Sequence, residues 1–514
     1  MSSMPQPADR PESSSKASMI DITSRETREL IFALCGPIGS PLHSVGTLLK
    51  SSMERIYGYE CHIIRLSEVI ETRAEVTTKD LTEFNRKLKL IQEGNQLRER
   101  FGPGVLAEYA ILDISVKRAL KKGSESGRPY QPHKVCYIID SIKNENEIEA
   151  FREVYRDLFF IIGVFSPLES RQKALLDKMK DVEVATLIDL DSGEEIEHGQ
   201  SVRKSFPQSD FFLRIDGGSD SEIRPKLERY LDLVFGTDVV TPSFEESAMY
   251  HAWSAAGNSA CLSRQVGACL TDSNGEILSI GWNDVPKANG GLYLFDSSEI
   301  LGQKDHRCKN IEGGKCFNDY NKAMIVNEIA DALIAEGIAL GDKRKELVEK
   351  ISGSKIKDLI EFSRAIHAEM HAILTGSLKA GTRVKGGKLF STTYPCHSCA
   401  RHIIAAGIKD VFFIEPYRKS LAVKLHWDSI TESDEATEKV RIRLFDGVAP
   451  SKYLRFFKTV EDRKSAEIRQ IRITKRDAKP IARISLESLP ALEGIVVNNL
   501  IAKNAIRKEE KDAA

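Results

Sequence analysis

The sequence predicts an α/β protein built as two units, a parallel sheet with covering helices in the amino-terminal half and a compact α/β/α unit after about residue 240. Three observations carry this. First, short continuous apolar runs recur between amphipathic segments: "LIFALC" at 30–35, "CHIIRL" at 61–66, "KVCYIID" at 134–140 and "LFFIIGVF" at 158–165. Runs apolar on both faces are strands covered on both sides, and their alternation with helical segments is the pattern of a parallel sheet. Second, the chain changes character at "SFEESAMYHAWSAAGNSACLSRQVGACLTDSNGEILSIGWND", which begins at Ser243 and reads as a helix followed by a hairpin turning at Asn274-Gly275. Third, 514 residues exceed what one hydrophobic core organises.

Taken in order, residues 1–24 are rich in Ser and Pro and poor in apolar side chains, so they read as a disordered tail. Residues 25–238 carry the parallel sheet. Residues 239–470 carry the second unit: the helix and hairpin, a polar and helical insertion over about 285–360, a helix around "SRAIHAEMHAIL", the strand "GGKLFST" at 386–392, and a last helix within "STTYPCHSCARHIIAAG" at 391–407. Helices alternating with these strands fit a layered α/β/α arrangement. Residues 471–514 read as a charged carboxy-terminal extension, a helix followed by a frayed end "KEEKDAA". No internal repeat is present.

Composition excludes several classes. Lys and Arg number 74 against 75 Asp and Glu, so no global field draws the chain to nucleic acid or to an anionic membrane. Nine scattered cysteines in so long a chain are no disulfide framework, and no early segment reads as a signal peptide, which together point to a reducing cytoplasm. The longest strongly apolar run, Leu158–Phe165, falls far short of the roughly 20 residues that span a bilayer, so no membrane partner is expected.

The chemistry-bearing residues are Cys396 and Cys399, two apart behind Pro395, and His367 and Glu369, two apart at a helix start about thirty residues earlier. A Cys-x-x-Cys pair alone is a zinc half-site or a redox pair. One imidazole and two thiolates would leave a tetrahedral zinc with an open fourth position. A closed structural site would instead need a fourth ligand, for which His371, His397 and His402 are at hand. Pro395 fixes the entry to the next helix, whose positive N-terminal end favours thiolates at Cys396 and Cys399.

The order His-x-Glu followed by Pro-Cys-x-x-Cys resembles the signature of the zinc nucleoside and nucleobase deaminases. That resemblance implies His367, Cys396 and Cys399 as zinc ligands, a metal-activated water that attacks C4 of cytosine, and Glu369 as the base and then acid that shuttles the proton. "SRQVGACLTDSNGEILSIGWND" is similar to the first hairpin of deoxycytidylate and tRNA adenosine deaminases. On that likeness Asn283 contacts the sugar or base, and Gly267 and Ala268 line the pocket floor; Arg264 either meets a phosphate or covers a helix end. His371 and His402 read as packing or surface residues. In the insertion, "DHRCKNIEGGKC" brings His306, Cys308 and Cys316 close in sequence, a candidate second zinc site of the kind some deoxycytidylate deaminases carry.

After the first strand, "GPIGSPLHSVG" at 36–46 has the position of a phosphate loop but lacks the Lys-Ser/Thr that follows its last glycine. Gly36, Gly39 and Ser40 are its candidate nucleotide-binding residues, and the following segments resemble small nucleotide kinases, with Arg152, Arg156 and Arg171 as candidate phosphate contacts or surface ion pairs. A degenerate P-loop kinase-like domain followed by a cytidine-deaminase-like domain resembles the bacterial anti-phage dCTP deaminases. That family implies conversion of free deoxycytidine nucleotides (dCTP and/or dCMP) to deoxyuridine nucleotides, depletion of dCTP during phage replication, a second nucleotide or phage-derived trigger at the amino-terminal domain, and a homo-oligomer. Two readings stand beside it: a deaminase of RNA or single-stranded DNA, and a catalytically silent sensor stabilised by zinc. The basic strip at 463–479 has no aromatic stacking partners for a nucleic acid, and an intact Glu369 has no use in a silent module.

Overall fold

The structure is a computed structural model, and it describes residues 26–124, 133–192, 202–216, 218–295, 305–416, 420–458, 463–482, 484 and 488–506. The expected tail at 1–24 and the final "KEEKDAA" lie outside the described residues. The chain forms two compact units, one of residues 1–241 with 454–514 and one of residues 242–453.

In the first unit the apolar runs become strands β1 (Leu30–Cys35), β2 (Glu60–Arg65), β3 (Val135–Ile142) and β4 (Phe159–Phe165), joined by β5 (Phe211–Arg214). Within the unit they stand in the order β5-β4-β1-β3-β2 and every pair is parallel. All six residues of β1 are buried, as an inner strand covered on both faces requires. From β1 the sheet grows toward β3 on one side and β4 on the other, so a crevice opens at the carboxyl end of β1, the usual binding position of an open α/β sheet. Residues 36–41 lie there, leading into the helix Leu42–Ser52.

The helix Ser488–Ala502, read from the sequence as part of a charged extension, belongs to this first unit. Its Leu489, Val497 and Leu500 are buried, Tyr109 donates to the carbonyl of Ala505, and Tyr155 donates to Glu493. The helix itself is mostly apolar, with Glu493 its one charged residue, and the charged stretches on either side of it hid that seam.

The second unit holds β6 (Gly267–Thr271), β7 (Ile277–Trp282), β8 (Lys388–Thr393), β9 (Asp410–Glu415), β10 (Ile430–Thr431) and β11 (Val440–Leu444), in the order β10-β11-β9-β8-β6-β7. β6 is antiparallel to β7 and β8, and the remaining neighbours are parallel. The hairpin turns where Asn274-Gly275 predicts, with Gly275 at φ +91, though the connection is longer than two residues. Asp272 organises it, its carboxylate accepting from the N–H groups of Asn274 and Glu276.

Two glycines set the layers. A Cβ on Gly267 would fall 1.9 Å from the carbonyl of Ala252 in the helix Phe244–Ala256. A Cβ on Gly281 would fall 2.4 Å from the carbonyl of Ala368 in the helix Ala368–Ala380. Gly281 pairs with Ala268, the neighbour of Gly267, so the two glycines face opposite sides of the sheet and the two helices cover opposite faces. This is the expected α/β/α sandwich. The insertion contributes helices Phe317–Ala335 and Arg344–Ser352. Among the described residues no helix is long and apolar enough to cross a membrane.

Candidate active site

β8 delivers the chain through Tyr394 and Pro395 to Cys396, which is the N-cap of the helix His397–Ala405 and whose sulfur accepts from the Cys399 N–H at 3.4 Å. His367 occupies the equivalent position on the helix Ala368–Ala380 without a side-chain cap bond of its own. The two helix starts meet. His367 Nδ1 lies 3.3 Å from Cys396 Sγ and 3.2 Å from Cys399 Sγ. The donor atoms of the three residues all lie within 4.8 Å of one another. Nitrogen and sulfur on the edge of a tetrahedral zinc site stand about 3.6 Å apart, so the donor set and its spacing fit that ion.

The electrostatics fit as well. The bond from Cys399, then that from His367, lowers the Cys396 thiol to about 4. Cys399, donating to that thiolate, is itself pushed well up. The bond to Cys396 raises His367 to about 9. These directions favour a thiolate at Cys396, the form in which a thiol would bind a divalent cation. Glu369 sits in the first turn of the His367 helix, 4% exposed. Burial raises its carboxyl above the usual range while His367 pulls it back.

The other histidines are engaged elsewhere. His371 Nδ1 accepts the Trp282 backbone N–H at 3.2 Å, and burial lowers its pKa. His402 Nδ1 contacts the Ser398 carbonyl at 2.8 Å, and His397 Nε2 lies 3.7 Å from Glu361. No fourth His, Cys, Asp or Glu joins the metal group among the described residues.

Around this centre the expected contact residues serve the frame. Asn283 Oδ1 accepts the Val266 N–H at 2.8 Å and its Nδ2 donates to the Arg264 carbonyl at 2.8 Å, so its amide clamps the segment before β6. Gly267 is required by the approach of Ala252, and Ala268 is buried in the sheet. Arg264 forms an ion pair with Glu415.

His306, Cys308 and Cys316 do not converge as a ligand set, since the sole group of clustered donors among the described residues is His367, Cys396 and Cys399. The ring of His306 packs edge-on against Tyr293 at 5.7 Å. Cys308 and Cys316 line one pocket together with Cys261, which stands about fifty residues earlier in the chain and carries no local signal toward them.

The amino-terminal loop holds an anion of its own. Ile38 N–H donates to Asp191 Oδ2 at 2.6 Å, and Lys143 Nζ donates to Asp191 Oδ1 at 2.8 Å and to the Gly36 carbonyl at 2.7 Å. Gly39 takes φ +87. Arg171 reaches the loop, but its Nε and Nη1 donate to the carbonyls of Ser166 and Ile38. Arg152 donates to the Gln208 carbonyl at 2.6 Å, and Arg156 is exposed at a positive φ of 47°. Neither Lys143 nor Asp191 was legible as a loop partner, because both come from distant parts of the chain.

Comparison with known proteins gives the site its family. Residues 242–415 match the model of the cytidine and deoxycytidylate deaminase zinc-binding region, about a third of the chain. The deoxycytidylate deaminase of Enterobacteria phage T4 is 28% identical over 183 residues, covering 35% of this chain and 80% of that protein. The ComE operon protein 2 of Bacillus subtilis is 48% identical over 56 residues, covering 11% of this chain and 29% of that one. Among solved structures, the dCMP deaminase from the cyanophage S-TIM5 in complex with dCMP and dUMP is 20% identical, covering 40% of this chain and 99% of that one, with a TM-score of 0.24. The chain thus contains a zinc-binding hydrolytic deaminase, held in an α/β/α unit with a His/Cys/Cys group that could take the metal. More narrowly, its carboxy-terminal region is a cytidine and deoxycytidylate deaminase domain.

Proposed function

We propose that this chain hydrolyses the exocyclic amine of a free deoxycytidine nucleotide, dCMP and/or dCTP, giving the deoxyuridine nucleotide and ammonia. The observation that carries the reading is the carboxyl of Glu369, buried in the first turn of the helix Ala368–Ala380, next to the N-cap His367 whose imidazole meets both cysteine sulfurs. His367, Cys396 and Cys399 are the residues that would hold zinc, and zinc there would supply Lewis acidity that lowers the pKa of water to about 7. Glu369 takes the proton that water gives up as its oxygen adds to C4 and delivers it to the ring nitrogen N3, then carries the proton of the new C4 hydroxyl to the amino group, so that the C4–N bond breaks, C4=O forms and ammonia leaves. Its raised pKa brings the carboxyl nearer to neutrality, where both transfers are fast.

The name of the phage T4 relative, deoxycytidylate deaminase, supports a mononucleotide substrate. The net charge of −1 supports a small anionic ligand held by local groups over a polynucleotide held by a basic face. We further propose that the first unit is a degenerate phosphate-loop domain, with Gly36, Gly39 and Ser40 facing the crevice beyond β1, which takes a second nucleotide or a phage-derived trigger only when Asp191 leaves the Ile38 amide. In that reading the chain drains dCTP in anti-phage defence and works as a homo-oligomer. Purified protein incubated separately with dCMP, dCTP, CTP, cytidine and a cytosine-containing single-stranded oligodeoxynucleotide tests it: uracil product from a deoxynucleotide supports the reading, and product from the oligonucleotide alone overturns it.

A further inference from the structure

The strongest unassigned feature near the site is a buried charge arrangement that joins the insertion to the wall of the catalytic centre. Asp284 follows β7 and is 1% exposed. Its Oδ2 accepts the Ala260 N–H at 3.0 Å and its Oδ1 accepts its neighbour Val285 N–H at 2.8 Å. Arg307, from the insertion and 4% exposed, places Nη1 3.6 Å from Asp284 Oδ2. The same guanidinium grips Asp305 in a fork, Nε at 2.9 Å and Nη2 at 2.7 Å. One cation thus stands between two carboxylates, which fixes the plane of its side chain.

What Asp284 holds gives the arrangement its consequence. Its backbone carbonyl accepts the N–H of Ile366 at 3.0 Å, an isolated bridge that ties down the residue directly before His367. Asn283, one residue earlier, receives the Ser259 hydroxyl at 2.6 Å on its carbonyl and clamps Val266 and Arg264 with its amide. Residues 283–285 are therefore a strap between the loop before β6 and the entry to the catalytic helix. Among the described residues the cation paired with its buried carboxylate is Arg307, and a buried carboxylate stripped of such a partner moves toward water or takes up a proton.

We infer that Arg307 is a positioning residue for the deaminase reaction: it neutralises Asp284 and so fixes the 283–285 strap and the approach to His367. The insertion is in this way a structural member of the active site although Arg307 is too deeply buried to meet a substrate. The inference rests on the deaminase reading proposed above.

The test compares the full-length wild-type chain with Arg307→Met, Arg307→Lys and the double variant Arg307→Met/Asp284→Asn, in zinc-replete buffer. Arg307→Met is expected to raise KM for the deoxycytidine nucleotide about tenfold or more with kcat held within about threefold, the signature of lost wall contacts without lost chemistry. Arg307→Lys keeps the charge but loses the fork onto Asp305, and its KM is expected to fall between those of wild type and Arg307→Met. The double variant removes the more deeply buried of the two carboxylates that lose Arg307, Asp284 rather than the partly exposed Asp305, and is expected to recover part of KM, which a general folding defect would not do. Hydrogen exchange at the Ile366 amide, read independently of turnover, is expected to quicken in Arg307→Met and to return toward wild type in the double variant. An unchanged Ile366 amide and KM in Arg307→Met overturn the inference, as does a double variant no better than the single one. A wild-type chain that deaminates no nucleotide sinks the functional reading instead, while the exchange measurement still decides the role of Arg307.

Discussion

His367 Nδ1 lies 3.3 Å from Cys396 Sγ, although the two residues are the N-caps of different helices. Two helix starts thus converge on a single point. If that point is a zinc site, Cys396→Ala or His367→Ala removes one of three ligands. Metal affinity should fall by at least about a hundredfold and turnover should vanish with it. Elemental analysis of the dialysed variant beside an activity assay checks this; a variant that keeps stoichiometric zinc contradicts it.

Glu369 adds no donor to the metal group, so its removal separates metal from chemistry. Glu369→Gln should keep zinc and fold while kcat falls by about two to four orders of magnitude, the usual worth of a positioned proton carrier. Retained turnover in that variant removes Glu369 from the mechanism.

Gly281 lies where the sheet touches the helix Ala368–Ala380, with room for no Cβ beside the Ala368 carbonyl. Gly281→Ala should push the start of that helix, which carries Glu369, away from β7. A loss of about 1–3 kcal/mol in stability is expected, as for other overpacked sites, together with a drop in kcat. Thermal unfolding and kinetics on the same preparation read both effects.

Glu493 gives the first unit a dependence on pH. Burial raises its carboxyl to about 7 although Arg118 pulls it down and Tyr155 donates to it at 2.8 Å. Arg118 divides its charge between Glu493 and Glu29, which is why burial wins. A carboxyl whose folded pKa is raised favours the fold while protonated. Its contribution is full below the ordinary value near 4.5 and is lost as pH rises through about 7. Glu493→Gln keeps an acceptor for Tyr155 and removes the charge. It should stabilise the chain at pH 8 by up to about 3 kcal/mol and flatten the pH dependence between those limits. Unfolding curves at pH 5 and pH 8 that shift equally in wild type and variant contradict this.

How much of this was legible in the sequence follows from what each feature depends on. β1, β3 and β4 were readable because inner parallel strands are apolar on both faces, and the β6–β7 hairpin because Asn274-Gly275 carries its own backbone geometry. β5, four residues long, offers too few positions for a period, and β9 and β11 pass as ordinary loop-to-strand transitions. The residues of the His/Cys/Cys group were readable because their identities and spacing are set by the chemistry itself. What escaped was everything made by residues far apart in the chain: Asp191 closing the loop at Ile38, Cys261 joining Cys308 and Cys316 in one pocket, Arg307 backing Asp284, and the return of Ser488–Ala502 to the first unit. Those partnerships depend on tertiary placement, and no local pattern encodes them.

The measurement closest to the central claim is a stoichiometric assay of ammonia and uracil nucleotide from dCMP and dCTP, run on the full-length chain with its zinc content counted in the same sample. The account predicts one ammonia for each deoxyuridine nucleotide formed, by protein holding at least one zinc per chain, and none from the Glu369→Gln variant with the same zinc. Deamination by protein free of zinc, or zinc-loaded protein that leaves every deoxycytidine nucleotide intact, would contradict it.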